Sequence, residues 1–349
     1  MRSSYSEKDV VLLLKDITGM IEPQSTEERE KLIQSGKHYC EMLPIEYVPT
    51  QEYMNVYNQS LAAFSKSVAN ATAVLSEKII RQKGNGVVLV SLARAGIPIG
   101  ILIKHYISWK YKINVPHYSI SIIRGKGIDK NAMKYILERH APEKIQFVDG
   151  WIGKGAILGE LEKALSDYND VSADLAVISD PANITELCGT HEDILIPSSC
   201  LNSTVSGLIS RTVLRDDLIG ENDFHGAVFY ENLRNSDLSY SFIKSIEKEF
   251  SDDAKEDFVP ESGNGRDEVL DIADHFGIDD INLIKPGIGE ATRVLLRRLP
   301  WKIIVDKKFM DSPQLGHLLK LAEEKNVPVE EYPLKHYKCC GIIKKLADA

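Results

Sequence analysis

A chain of 349 residues with 43% apolar and 27% charged side chains has enough apolar material for a sizeable core and length for two domains, or three. No apolar run approaches the ~18–20 residues needed to cross a bilayer, and the opening MRSSYSEKDVVLLLKD has no small-residue cleavage site after its short apolar patch, so neither a membrane partner nor a signal peptide is expected. The five cysteines, Cys40, Cys188, Cys200, Cys339 and Cys340, are odd in number and lack both CxxC pairing and zinc spacing, which points to free thiols in a reducing, cytoplasmic setting.

Residues 1–54 read as a helical elaboration, with DVVLLLKDI as a short helix and STEERE as a helix start capped by Ser25 or Thr26. A long amphipathic helix follows and ends at Gly84. From there to residue 250 the pattern alternates. Apolar strands at 86–93, 116–124, 144–150 and 173–181 are separated by helical stretches, which predicts a doubly wound α/β domain with a parallel sheet covered on both faces. Residues 251–265, SDDAKEDFVPESGNG, form an acidic linker. Residues 266–349 return to a small α/β pattern. The net charge of −9 is unevenly spread: residues 281–349 carry +5, leaving −14 on the rest, and a basic tail on an acidic body suggests a polyanion partner for the tail.

Ligands of parallel sheets bind at the carboxyl ends of the strands. Three consecutive loops there combine glycine with a cation: SLARAGIPIG (91–100), IIRGKGID (122–129) and VDGWIGKGAI (148–157). They offer Arg94, Arg124, Lys126 and Lys154 to an anion, while Gly96, Gly125, Gly127, Gly150, Gly153 and Gly155 allow several N–H groups to converge on a phosphate. The first and third loops resemble the pyrophosphate segment and the signature loop of type I phosphoribosyltransferases, over roughly residues 55–215. That resemblance implies phosphoribosyl pyrophosphate, or a related ribose phosphate or nucleotide, bound with Mg²⁺. It places Asp149 on the ribose hydroxyls or the metal. It places Gly150 and the Gly153–Lys154–Gly155–Ala156 turn around the 5′-phosphate. It sets Ala93, Arg94, Ala95 and Gly96 around pyrophosphate, helped by Arg124 or Lys126 from a flexible loop. Gly150 stands where the family has a second acid, and Gly153, Lys154 and Ile157 replace hydroxyl-bearing or acidic positions.

PSSCLNSTVSG (197–207) is dense in hydroxyls, and STVSGLISRTVL reads as a helix capped by Ser203 or Thr204. Cys200 would then precede a helix N-terminus, which lowers a thiol's pKa, with His225 or His191 as base. The whole chain resembles the bacterial StiP family, which carries the name cysteine protease and is associated with tellurite-resistance and stress gene clusters. The competing chemistries are therefore glycosyl transfer and cysteine hydrolysis; a non-catalytic nucleotide sensor coupled to RNA binding is a third reading.

LIKPGIGEATRVLLRRLP (283–300) resembles the RNA-binding turn and helix of the L7Ae/Pelota group, and HLLKLAEEKNVPVEEYP its second half, so the resemblance covers about 280–345. It implies RNA contacts from Lys285, Gly287, Gly289, Glu290, Arg293, Arg297 and Arg298, with Gly289 in place of that family's Asn. A glycine turn opening an arginine-bearing helix presents amides and guanidiniums to phosphates. The oligomeric state is left open by the sequence.

Overall fold

The computed structural model describes residues 1–256 and 258–345. Its centre is a six-stranded, all-parallel sheet of β1 (Val11–Leu12), β2 (Val88–Leu92), β3 (His117–Ile120), β4 (Ile145–Trp151), β5 (Leu175–Ser179) and β6 (Cys188–Thr190), in the order β1-β3-β2-β4-β5-β6. Strands β2 and β5 are buried at every position, as continuous Val/Leu/Ile runs in a doubly covered parallel sheet require. Chain order runs outward from β2 to β3 on one side and returns to β4 on the other, so the topological switch point lies between β2 and β4.

Nine α-helices lie among the described residues. In the body they are α1 (Thr26–Gln34), α2 (Gln51–Lys83), α3 (Gly96–Tyr111), α4 (Lys130–Leu137), α5 (Ala156–Leu165) and α6 (Ser239–Glu247). Ser25 caps α1 through a reciprocal capping box with Glu28. Thr50 caps α2, and Gly84, at φ +72, ends it. Two expected helices are not helical. DVVLLLKDI supplies β1 instead, because Val11 and Leu12 pair in parallel with Tyr118 and Ser119 at the sheet edge; Leu13 and Leu14 just beyond it are buried. STVSGLISRTVL forms one short 3-10 turn, Ser203–Val205. Gly207 and Leu208 then adopt positive φ, and Ser210 and Val213 spend their N–H groups on Val228 and Gly226.

The second unit holds α7 (Gly265–Phe276), α8 (Ile288–Arg297), α9 (Gly316–Glu324) and strands β7 (Ile284–Pro286), β8 (Pro300–Val305), β9 (Val329–Glu331) and β10 (Cys339–Ile343), ordered β7-β10-β8-β9. It does not hang free. One apolar cluster runs from Ile97 and Leu195 in the body to Ile288, Leu295 and Leu318 on α8 and α9, and the acidic stretch between the units is a tether around a packed interface.

Candidate functional site

The loops after β2 and β4 meet at the switch point. A Cβ on Gly96 would stand 2.4 Å from the Val148 carbonyl, so only glycine lets the loop pass this close to β4. The Ala93–Arg94 peptide bond is cis. The buried Arg94 guanidinium points inward, donating to the Ile209 carbonyl and lying 3.4 Å from Glu46.

The unit containing α8 roofs this point. Arg293 stacks over the Trp151 ring, 4.4 Å from guanidinium carbon to ring centroid. Arg297 donates to Asn202 Oδ1 at 2.6 Å. Arg94, Arg293 and Arg297 therefore converge on a cavity of about 250 Å³, completed by Pro98, Trp151 and Asn202. On the other side of Trp151 lies a second cavity of about 260 Å³ near Ser179, Asp193, Ser199 and Gly289. These volumes include open solvent, and the space enclosed in each holds little more than a water molecule.

The three guanidiniums are loosely neutralised. Arg293 meets Glu290 only at 3.6 Å, and Glu46 divides itself between Arg94 and the N–H and hydroxyl of Ser203. By contrast Arg298, one residue past α8, makes a bidentate pair with buried Glu30 at 2.7 and 2.8 Å. Burial lowers the pKa of Arg293 and of Arg297. Arg94 adds to both effects by repulsion, as does Arg293 for Arg297. A partly buried cluster of three guanidiniums, with Glu46, Glu290 and Asp149 beside it, can receive an anion.

Asp149 sits at the end of β4, where it accepts the Gly150 N–H at 2.7 Å. Burial pushes its carboxyl up to about 6, against the pull of that hydrogen bond and of Arg293. A single carboxylate with a neighbour such as Glu290 suits a Mg²⁺ that arrives on a substrate's phosphates better than one held by a protein cage.

The other predicted phosphate residues are placed differently. The Lys154 ammonium donates to the Ile281 and Ile284 carbonyls of the second unit, and burial with repulsion from Lys285 lowers it to about 8. Gly153 lies under Glu290 and Pro286, and its carbonyl accepts from Tyr337 Oη at 2.7 Å. Gly155, at φ +80, caps α5 ahead of Ala156. The amides of Gly125 and Gly127 already bind an anion, the Glu160 carboxylate, at 2.7 and 3.0 Å. Arg124 donates to Asn282 at 3.0 Å, and Lys126 is exposed.

The predicted RNA face is turned inward. Gly289 abuts Trp151, Gly287 abuts Asp193, and Asp193 accepts the N–H groups of Ile288 and Lys338 at 3.0 and 2.9 Å. Lys285 is half-buried. Trp151, Asp193, Glu46 and Asn202 were not singled out from the sequence. Only Trp151, an aromatic inside a glycine loop, gave a local signal.

The cysteine segment departs from the helix and the activated thiol that the sequence predicts. Cys200 is fully buried, burial raises its pKa strongly, and no α-helix follows it. Among the described residues no hydrogen bond joins its sulfur to histidine. His225 is held elsewhere, its Nδ1 on Ser121 at 2.9 Å and its N–H on Asp129. The thiol that meets His191 is Cys188, Sγ to Nε2 at 3.5 Å. A second pair is Cys40 with His38, at 3.0 Å.

Residues 3–247 match the family described as tellurite-like stress resistance cysteine protease StiP. A curated relative from Acinetobacter baylyi, named Cysteine protease StiP, is 35% identical over 98% of this chain and 94% of its own length. The chain belongs to the StiP family. Residues 263–345 match the PELOTA RNA binding domain family, so the StiP body here carries a Pelota unit. Among solved structures, a xanthine-guanine-hypoxanthine phosphoribosyltransferase of Helicobacter pylori is similar at 18% identity with a TM-score of 0.25, covering 34% of this chain and 72% of that one. A hypoxanthine-guanine phosphoribosyltransferase of Bacillus anthracis is similar at 17% and 0.25, covering 33% and 68%. Among the described residues no helix is long and apolar enough to cross a membrane.

Proposed function

We propose that this StiP-family chain is a cytoplasmic enzyme that binds phosphoribosyl pyrophosphate or a related ribose phosphate at the β2/β4 switch point, and that its Pelota unit binds RNA. The observation that carries the reading is the convergence of Arg94, Arg293 and Arg297 on one cavity beside Asp149. Two units supply these groups, so the ligand is held at their junction. Asp149 would hold ribose hydroxyls or the metal that accompanies the diphosphate, and the guanidiniums would take the charge developing on a departing phosphate. Bound Mg²⁺ would add charge neutralisation at the leaving group. The enclosed space in this arrangement holds little more than a water molecule, so a phosphate or a whole nucleotide requires the roof to move. The same movement would free α8 for RNA. Buried Cys200 gives cysteine hydrolysis no support at the predicted position.

Thermal unfolding with phosphate, ribose 5-phosphate and phosphoribosyl pyrophosphate, each with and without Mg²⁺, tests the reading. A ligand near a hundredfold over its Kd stabilises by about 2.7 kcal/mol. The expected shift disappears in Arg94→Met and in Arg297→Met. Absence of any shift in the wild type, or its survival in both variants, would overturn the proposal.

A further inference from the structure

At the far edge of the sheet, away from the arginine cavity, three side chains from distant segments meet. Cys188 opens β6, His191 lies in the turn after it, and Glu256 comes from the acidic tether, with ligand-capable atoms of all three within 4.8 Å of one another. We propose that Cys188 Sγ, His191 Nε2 and a Glu256 carboxylate oxygen form a Zn²⁺ site that ties the tether to the sheet.

Geometry supports the metal. Zinc takes sulfur at about 2.3 Å and imidazole nitrogen at about 2.0–2.1 Å in a tetrahedral array, which sets the two ligand atoms about 3.5 Å apart. Cys188 Sγ and His191 Nε2 are 3.5 Å apart. The imidazole is also oriented as zinc ligands are. Its Nδ1 lies 3.0 Å from the Asp180 carbonyl oxygen and 3.7 Å from the Asp180 carboxylate, so the proton belongs on Nδ1 and the Nε2 lone pair faces Cys188. Asp180 is itself anchored, accepting the N–H groups of Ile184 and Thr185 at 2.7 Å each.

The third ligand is steadied by Lys78 of α2. Its ammonium lies 2.8 Å from one Glu256 oxygen and 3.0 Å from the Cys188 carbonyl oxygen, leaving the second carboxylate oxygen for the metal. A thiolate and a carboxylate balance the two charges of zinc. A mixed sulfur, nitrogen and oxygen set disfavours Mg²⁺ and Ca²⁺, which prefer all-oxygen shells. Three protein ligands leave a fourth position to water, as in open zinc sites. The spacing 188, 191, 256 matches no sequence motif, because the third donor arrives only through folding.

Metal analysis of the full chain, purified without chelator and dialysed after Zn²⁺ addition, reads the proposal directly. About one zinc per chain is expected, lost in Cys188→Ser and held at least tenfold more weakly in His191→Gln and in Glu256→Gln. Replacement by Co²⁺ should give a near-ultraviolet sulfur-to-cobalt charge-transfer band that is absent from Cys188→Ser. His191→Gln lies near the surface and guards against a folding artefact at Cys188. A zinc-free wild type, or zinc retained at one equivalent in both Cys188→Ser and His191→Gln, would overturn the assignment.

Discussion

Replacing Gly289 by alanine tests whether α8 is seated on the body as described. The new methyl would lie 2.4 Å from Trp151 Cε2 and 2.6 Å from Cζ2. Carbon atoms pack at about 3.5–4.0 Å, so ring or helix must retreat by roughly 1 Å. The ring cannot slide freely, since Arg293 stacks on it and the β4 backbone fixes its base. Forcing a methyl into a packed junction costs about 1–3 kcal/mol, and each kcal/mol lowers Tm by about 2–4 °C for a domain of some 150–250 residues. Calorimetry reads that loss. Tryptophan emission reads its location, because Trp109 and Trp301 are each 40% exposed already and Trp151 is the more enclosed ring. A red shift should accompany the lower Tm, and RNA affinity should rise as the α8 face is uncovered. Gly159→Ala is the control: it stands inside α5 with open space around it, so the same change should stabilise by about 0.5–1 kcal/mol. Wild-type Tm and emission in Gly289→Ala would refute the seating of α8 on Trp151.

Other expectations concern charge and thiols. A carboxyl near 6 in the folded chain, against an ordinary value near 3.8, binds more protons folded than unfolded, so its contribution to stability falls as pH rises from about 4 to 6. Asp149→Asn should therefore match wild type near pH 4 and exceed it by about 1–3 kcal/mol above pH 6; chemical denaturation across that range would show an unchanging difference if the carboxyl were not raised. Arg298→Ala strands the Glu30 carboxylate in a buried setting and should cost about 3 kcal/mol, whereas a loss below about 1 kcal/mol would mean the pair is solvated. Cys40, Cys188, Cys200, Cys339 and Cys340 are all buried, so a thiol reagent should label them slowly in the native chain and fully in denaturant. Immediate native labelling of Cys200 would reopen it as a nucleophile.

Legibility from sequence followed the reach of the interactions. Strands β2 to β5 declared themselves because apolar runs in a doubly covered sheet need no distant partner to be recognised. Helix α2 was evident from its period and its terminal Gly84. Strand β1 was misread because two residues acquire strand character only by pairing with Tyr118 and Ser119. Residues 203–214 were misread because their backbone partners lie at 226–230. At the site, Arg94 and Asp149 were legible from the strand-end rule, while their union with Arg293 and Arg297 was not. No periodicity announces that one unit's helix will roof another's loops. The roles of Lys154 and of the Gly125 and Gly127 amides were open to competitors, Ile281, Ile284 and Glu160, that only the folded chain brings near.

The 33 residues of α2 make a rod about 50 Å long. Near its first turn, Thr50 bonds Glu324 at 3.0 Å and Glu52 pairs with Lys320 at 2.8 Å, both on α9 of the Pelota unit. At its far end Gln82 bonds Asp174, and Lys83 reaches the Glu143 carbonyl beside β4. Midway, Gly189 of β6 passes so near the Ala71 carbonyl that a Cβ would lie 2.3 Å from it. The rod can neither lengthen nor slide along the sheet. Any shift of the Pelota unit's α9 away from this fixed rod has to break the Glu52–Lys320 ion pair and the Thr50–Glu324 hydrogen bond at the α2 N-terminus.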